Sequence, residues 1–126
     1  MRISTQNNRG FTLLEVMVAI VITLIGLLGL LQSVNVATEH NLKNQQRDEA
    51  VQVGEIVMNG MMVKPIDTTF AEYTTYTSKI RSGTGKYVVR RTTSDMTGDV
   101  KLYTVRVAWA FKNITSTHEV QTVKAR

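Results

Sequence analysis

Residues 9–31 read RGFTLLEVMVAIVITLIGLLGLL, and the fold turns on how that stretch is understood. From Val16 to Leu31 there is no charge, and Thr23 is the only polar side chain. Phe11–Leu14 extend the run on the near side, so residues 11–31 are apolar except at Thr12, Glu15 and Thr23. A bilayer crossing takes ~20 mostly apolar residues, so the run is long enough for one pass, and it occurs once. A secretory signal peptide would have a shorter apolar region with a small-residue cleavage site behind it. Here Gln32-Ser33-Val34-Asn35 come next, a poor site. A plain membrane anchor, in turn, has no use for Glu15. An acidic or basic side chain at the centre of such a helix costs roughly 2.5–3.5 kcal/mol. Near the end the cost is smaller, but the carboxylate still needs a partner.

On the N-terminal side lie ten polar and basic residues, MRISTQNNRG, including Arg2 and Arg9. On the far side the first Lys or Arg is Lys43. Positive residues favour the cytoplasmic side, so the expected orientation is N-terminus in, C-terminus out. The formal net charge is +5, falling to +3 for residues 11–126 (13 Lys and Arg against 10 Asp and Glu), too mild to argue for a nucleic-acid partner. There are no cysteines, which excludes disulfides and thiolate metal sites.

Nothing stops the helix after Leu31. Residues 32–62 contain no proline and two glycines, Gly54 and Gly60. Pro65, the only proline, disfavours helix at Lys64 and marks the end. A helix from Phe11 to Met62 is about 78 Å long at 1.5 Å per residue. Ala50, Val53, Val57 and Met61, with Ile56 beside them, recur at helical steps and predict a face packed on the C-terminal part of the chain. The polar stretch 38–49, TEHNLKNQQRDE, is expected to be solvated or to touch neighbours. Beyond Pro65 the period changes to two. One strand is expected near Tyr73–Ile80, a second over Lys86–Thr93, and a turn at Asp95–Asp99. The clearest strand is Val100–Phe111, where Tyr103, Val105, Val107, Trp109 and Phe111 alternate with Thr104, Arg106, Ala108 and Ala110. A loop at Asn113–Ser116 and a last strand over Thr117–Lys124 complete the pattern. The expected fold is α+β, a long N-terminal helix whose first half spans the membrane, packed on a small antiparallel sheet. The expected parts are a leader (1–10), a membrane helix (11–31), its amphipathic continuation (32–62) and a C-terminal β-meander (63–126).

A cut between Gly10 and Phe11 would create an α-amine at the edge of the bilayer, where it needs an acceptor as much as Glu15 needs a donor. The two are four residues apart and can meet within one chain. Between staggered chains, the amine of one meets the carboxylate of another only when the subunits are in register. This segment resembles the type IV pilin and pseudopilin family. The resemblance is close over residues 9–31 and loose over the long-helix-plus-sheet layout. It implies that a prepilin peptidase cuts after Gly10, that Phe11 becomes the N-methylated terminus, and that Glu15 guides assembly. Two further segments resemble minor pilins of the PilV type: Ile25-Gly26-Leu27-Leu28-Gly29-Leu30-Leu31-Gln32, and Arg47-Asp48-Glu49-Ala50 with Met58, Met61 and Met62 after it. The chain departs from many major pilins in lacking a C-terminal disulfide pair and a mid-span proline. Gly26 and Gly29 are read either as local helix weakness or as close helix packing.

The other candidate residues read blandly. His40 and His118 have no ligand-type spacing to a further His or Cys, so no metal is expected. Asp95 and Asp99 fit a turn better than a calcium site. Ser82-Gly83-Thr84-Gly85 is too short a glycine loop to cradle a phosphate. Arg90 and Arg91, adjacent on a strand, point to opposite faces, solvated or between subunits rather than on DNA. Asn113-Ile114-Thr115 matches a glycosylation acceptor but carries no weight in this setting. Met17, Met58, Met61 and Met62 read as gap fillers.

The expectation is therefore a non-enzymatic minor pilin, without cofactor or metal, entering or priming a type IV pilus. Its partners would be other pilins through the N-terminal helix, the prepilin peptidase, inner-membrane assembly proteins and the bilayer. It would reside in the inner membrane and then in the pilus at the cell surface. The alternatives are a minor pseudopilin of a type II secretion system and a single-pass anchor with a small binding domain.

Overall fold

The long helix α1 runs Leu13–Val63 and is followed by four strands, β1 Tyr73–Thr77, β2 Lys86–Thr97, β3 Val100–Phe111 and β4 Ile114–Ala125. These come from a computed structural model that describes residues 10–78 and 85–126. The leader positions 1–9, the expected strand end at Ile80 and most of the loop expected at Ser82–Gly85 lie outside the described residues. The strands form one antiparallel sheet in the order β1-β2-β3-β4. The expected architecture, one long helix with an antiparallel meander, is the observed one. By contacts the chain divides after Glu39 into two units.

In the first unit every side chain from Phe11 to Glu39 is exposed. Thr12 caps the helix; its carbonyl accepts the first intrahelical bond, from Val16 N at 3.3 Å. Thr23, the polar residue within the apolar run, donates its hydroxyl to Ala19 O at 2.7 Å. It therefore brings no unsatisfied donor into lipid.

The second unit holds the core. Helix residues Ala50, Val53, Val57, Met58 and Met61 pack with Tyr87, Val89, Tyr103, Val105, Val107 and Trp109. Gly54 marks the close approach: a Cβ there would stand 3.4 Å from Val107 and 3.5 Å from Val120. Two of the residues expected on apolar faces depart from that expectation. Ile56 is 64% exposed, because the buried stripe advances by Val53, Gly54, Val57, Met58 and leaves it on the far side. Phe111 is only half-buried, at the last position before the β3–β4 turn. The polar stretch 38–49 departs too. Gln46 is buried and Glu49 half-buried, because a step of four back from Ala50 brings Gln46 onto the stripe. Tyr87 Oη lies 2.8 Å from Glu49 Oε2 and 3.2 Å from Gln46 O, and Ser78 Oγ donates to Glu49 Oε2 at 2.6 Å. Burial, then the hydrogen bond to Glu49, pushes the Tyr87 phenol up from 10.0 to about 12.

The turns are tighter than expected. β2 continues through Thr97, with an irregularity between Asp95 and Thr97, and only Gly98-Asp99 separate it from β3. At the β3–β4 junction Phe111 pairs with Ile114 across Lys112 and Asn113, which have φ of 44° and 64°. Both central residues are left-handed, the primed geometry that suits a two-residue hairpin, so β4 starts three residues before Thr117. At the helix end no basic residue stands in the last turn. Lys124, on β4, supplies the charge instead, donating to Met62 O and Lys64 O at 2.6 Å each.

Candidate processing and assembly site

The site is built on the first helical turn. Gly10, Phe11 and Thr12 precede the helix, so the Gly10–Phe11 peptide bond lies in non-helical backbone. Phe11 is 91% exposed, and a side chain at Gly10 would meet nothing within 4 Å. A protease needs an accessible, non-helical bond, and this one qualifies.

Glu15 is held by a reciprocal cap. Its Oε2 accepts the Thr12 N–H at 2.9 Å and the Thr12 hydroxyl at 3.3 Å, and the Glu15 N–H points to Thr12 Oγ1 at 3.3 Å. Thr-x-x-Glu is the capping-box pattern, with a carboxylate also favoured by the helix dipole. The pattern is legible at Thr12-Leu13-Leu14-Glu15, yet sequence reasoning missed it, because the spacing of Phe11 and Glu15 is the more conspicuous relation there. The cap gives Glu15 a partner before any cut exposes an amine. Both bonds fall on Oε2. Oε1 therefore keeps its acceptor capacity for a charged donor, which an α-amine on Phe11 would be.

The remaining candidates are dispersed. His40 is exposed on α1 and His118 lies half-buried on β4. Among the described residues no three His, Cys, Asp or Glu side chains converge on a metal-sized site. Asp95 faces Lys101 at 3.8 Å, and the Asp99 carbonyl accepts from Arg126 N at 2.9 Å. Arg90 pairs with Glu72 at 2.9 Å beside Tyr73, while Arg91 donates to Ala71 O and Thr74 Oγ1. Across the sheet, Arg106 meets Glu119 at 2.6 Å, and that bond, then the one from Gln121, holds the Glu119 carboxyl below its ordinary value. Each of these arginines makes at least one bond within its own chain.

No curated protein and no solved structure matches the chain. One family description does: residues 5–31 match the prokaryotic N-terminal methylation motif. The match covers the Gly10–Phe11 bond, the capped carboxylate and the whole apolar run. With the one helix among the described residues that is long and apolar enough to cross a membrane, it supports membrane anchoring. The same match, on a chain built as one long helix and an antiparallel sheet, supports a type IV pilin-like protein.

Proposed function

We propose that the chain is a minor pilin of the PilV type, cut after Gly10, methylated at Phe11 and incorporated into, or priming, a type IV pilus. The observation that carries the reading is the Glu15 carboxylate, which stands at the head of an apolar helix with one oxygen unbonded among the described residues. The cap itself would serve any helix N-terminus; what an ordinary anchor has no use for is the second carboxylate oxygen kept for a charged donor. A filament of staggered helices has a use for it, because the α-amine of one subunit then neutralises the carboxylate of its neighbour only at the correct axial offset. In this reading residues 1–10 stay on the cytoplasmic side and the sheet faces the periplasm. The helix stores the subunit in the inner membrane until it joins the filament core, and the role is assembly rather than catalysis. The likeness of residues 25–32 and 47–50 to PilV-type pilins favours the pilus over a secretion pseudopilus.

Mass spectrometry of the protein from its native membrane is expected to find a chain that begins at methylated Phe11. An intact Met1 terminus would leave only the anchor. Glu15→Leu is expected to insert into the membrane at the wild-type level while incorporation into filaments drops several-fold. Wild-type incorporation of that variant would refute the pairing argument. Loss of piliation on deletion of the gene, with secretion unchanged, is the outcome that separates pilus from pseudopilus.

A further inference from the structure

The two edges of the sheet are not alike. β1, at one edge, is five residues long. β4, at the other, runs twelve residues without proline and keeps an unbroken register against β3, from Phe111–Ile114 to Val100–Ala125. The hairpin turn fixes which main-chain groups β4 leaves over. A two-residue turn makes Phe111–Ile114 a hydrogen-bonded pair, and bonded pairs then alternate along the ladder. The bond from Arg126 N to Asp99 O, at 2.9 Å, keeps that alternation just past the strand. Even-numbered residues of β4 therefore bond to β3. The N–H and C=O groups of Thr115, Thr117, Glu119, Gln121 and Val123 point to the open edge, and among the described residues no further strand pairs with them.

Sheets guard such an edge by shortness, proline, bulges or outward charge. β1 is guarded by its length, and β4 by none of these. Its two charged side chains are turned to their own chain. Glu119 meets Arg106 of β3 at 2.6 Å, and Lys124 reaches the helix end at Met62 O and Lys64 O. His118 is half-buried beside Gly54. Val123, in contrast, is 50% exposed. The open edge is long, unguarded and electrically quiet.

We propose that this edge receives, by strand addition, an uncharged β-branched strand from a different subunit of the same filament. Main-chain bonds hold the added strand and its alternate side chains select it. Threonine or valine beside Thr117 and Val123 gives the β-branched pairs that stabilise a sheet. A charge there loses water and finds no free counter-ion. A second copy does not fit. Ala50, Val53, Val57 and Met61 lay the helix along the sheet. Two copies joined antiparallel through β4 are related by a twofold axis normal to the sheet, which reverses that helix, whereas subunits of one filament enter the membrane with the same end first. Joining β4 to the β1 of a further copy propagates without closing, which a minor subunit does not do. The inference rests on the filament reading and names the surface through which this subunit meets an unlike neighbour.

Amide hydrogen exchange tests it. Full-length, isotope-labelled chain in detergent micelles is mixed with each of the other purified subunits of the filament in turn. In the chain alone, Thr117, Gln121 and Val123 are expected to exchange several-fold faster than His118, Val120 and Thr122. With one of the unlike subunits the three fast amides are expected to slow several-fold. Thr117→Pro removes an open-edge N–H without costing a bond to β3. It is expected to abolish the protection of Gln121 and Val123 while the unfolding midpoint, read from Trp109 fluorescence, stays in place. Val123→Lys, which keeps every amide and restores a guarding charge, is expected to weaken the protection. If no subunit slows these amides, or Thr117→Pro leaves their protection at the wild-type level, the proposal is overturned. The filament reading then still stands on a methylated Phe11 terminus and Glu15-dependent incorporation. Slowing in the chain alone as its concentration rises would make a second copy the occupant and overturn the proposal as well. An intact Met1 terminus in the native membrane would remove the filament reading, and this inference with it.

Discussion

One helix, two environments: residues 13–39 and residues 40–63 of α1 are continuous backbone, yet the first part exposes every side chain and the second buries a stripe. In the first part Leu13, Ile22, Ile25, Leu28, Leu30 and Leu31 are each more than 60% exposed. A contiguous apolar surface of that extent finds no partner among the described residues of its own unit and calls for lipid or another chain. In the second part Met61, with Tyr87, Val89, Tyr103, Val105 and Val107 of the sheet, is essentially inaccessible. Burial of one such aliphatic side chain contributes roughly 1.5–3 kcal/mol. Hydrophobicity therefore does opposite jobs in the two parts. It holds the sheet to its helix in one and advertises for partners in the other.

The sharpest way to break this contrast is a pair of truncations in the full chain held in detergent, with denaturant unfolding read from Trp109 fluorescence. Met61→Ala is expected to cost about 2–5 kcal/mol, the range for a buried methionine. Val18→Ala, at a half-exposed position, is expected to stay within about 0.5 kcal/mol. Equal losses would mean that the membrane part supports the sheet.

The second test uses pH. The Tyr87 pKa is raised to about 12 in the fold and stands near 10.0 when unfolded. The native state thus holds that proton more tightly. Its contribution is intact below pH 10 and is lost as the pH climbs toward 12. The loss is about 1–2 kcal/mol, because solvent at the half-buried Glu49 screens part of the effect. Tyr87→Phe is expected to flatten that part of the profile relative to wild type. A profile unchanged by the substitution would remove Tyr87 from the second unit's polar cluster.

Glycines sharpen the comparison further. Gly54→Leu forces a side chain against Val107 and Val120 and is expected to cost about 1–3 kcal/mol. Gly26→Leu meets open space and is expected to leave sheet unfolding unchanged. If Gly26→Leu instead lowers filament incorporation, close helix packing is its role rather than weakness of the helix. The smallest effect belongs to Lys124→Met, which keeps the aliphatic stem but removes the charge from the helix end. About 1 kcal/mol is expected, since a cation near a helix C-terminus contributes in that range. A loss below the error of the measurement would show that water caps those carbonyls equally well.

How much was legible differs by distance along the chain. The helix end before Pro65, the β3 span Val100–Phe111 with Tyr103 to Trp109 facing inward, and the helical stripe at Ala50, Val53, Val57 and Met61 all follow from local periodicity. The β3–β4 turn was not legible, because Lys112 adopts a left-handed conformation that its residue type does not announce. The Thr12–Glu15 cap was readable from a four-residue pattern, and the non-helical backbone at Gly10 and Phe11 from their place before the apolar run.

What residue order settles unaided is the layout: one membrane-length helix, a carboxylate just inside its head, and an alternating strand behind. Those are properties of neighbours along the chain, where spacing and hydrophobicity speak directly. Tertiary structure alone decided that Gln46 and Glu49 turn inward to Tyr87, and that Lys124 caps a helix ending 61 residues earlier at Val63. Each of these joins groups far apart in sequence, and a polar residue's fate depends on which distant partner burial brings to it.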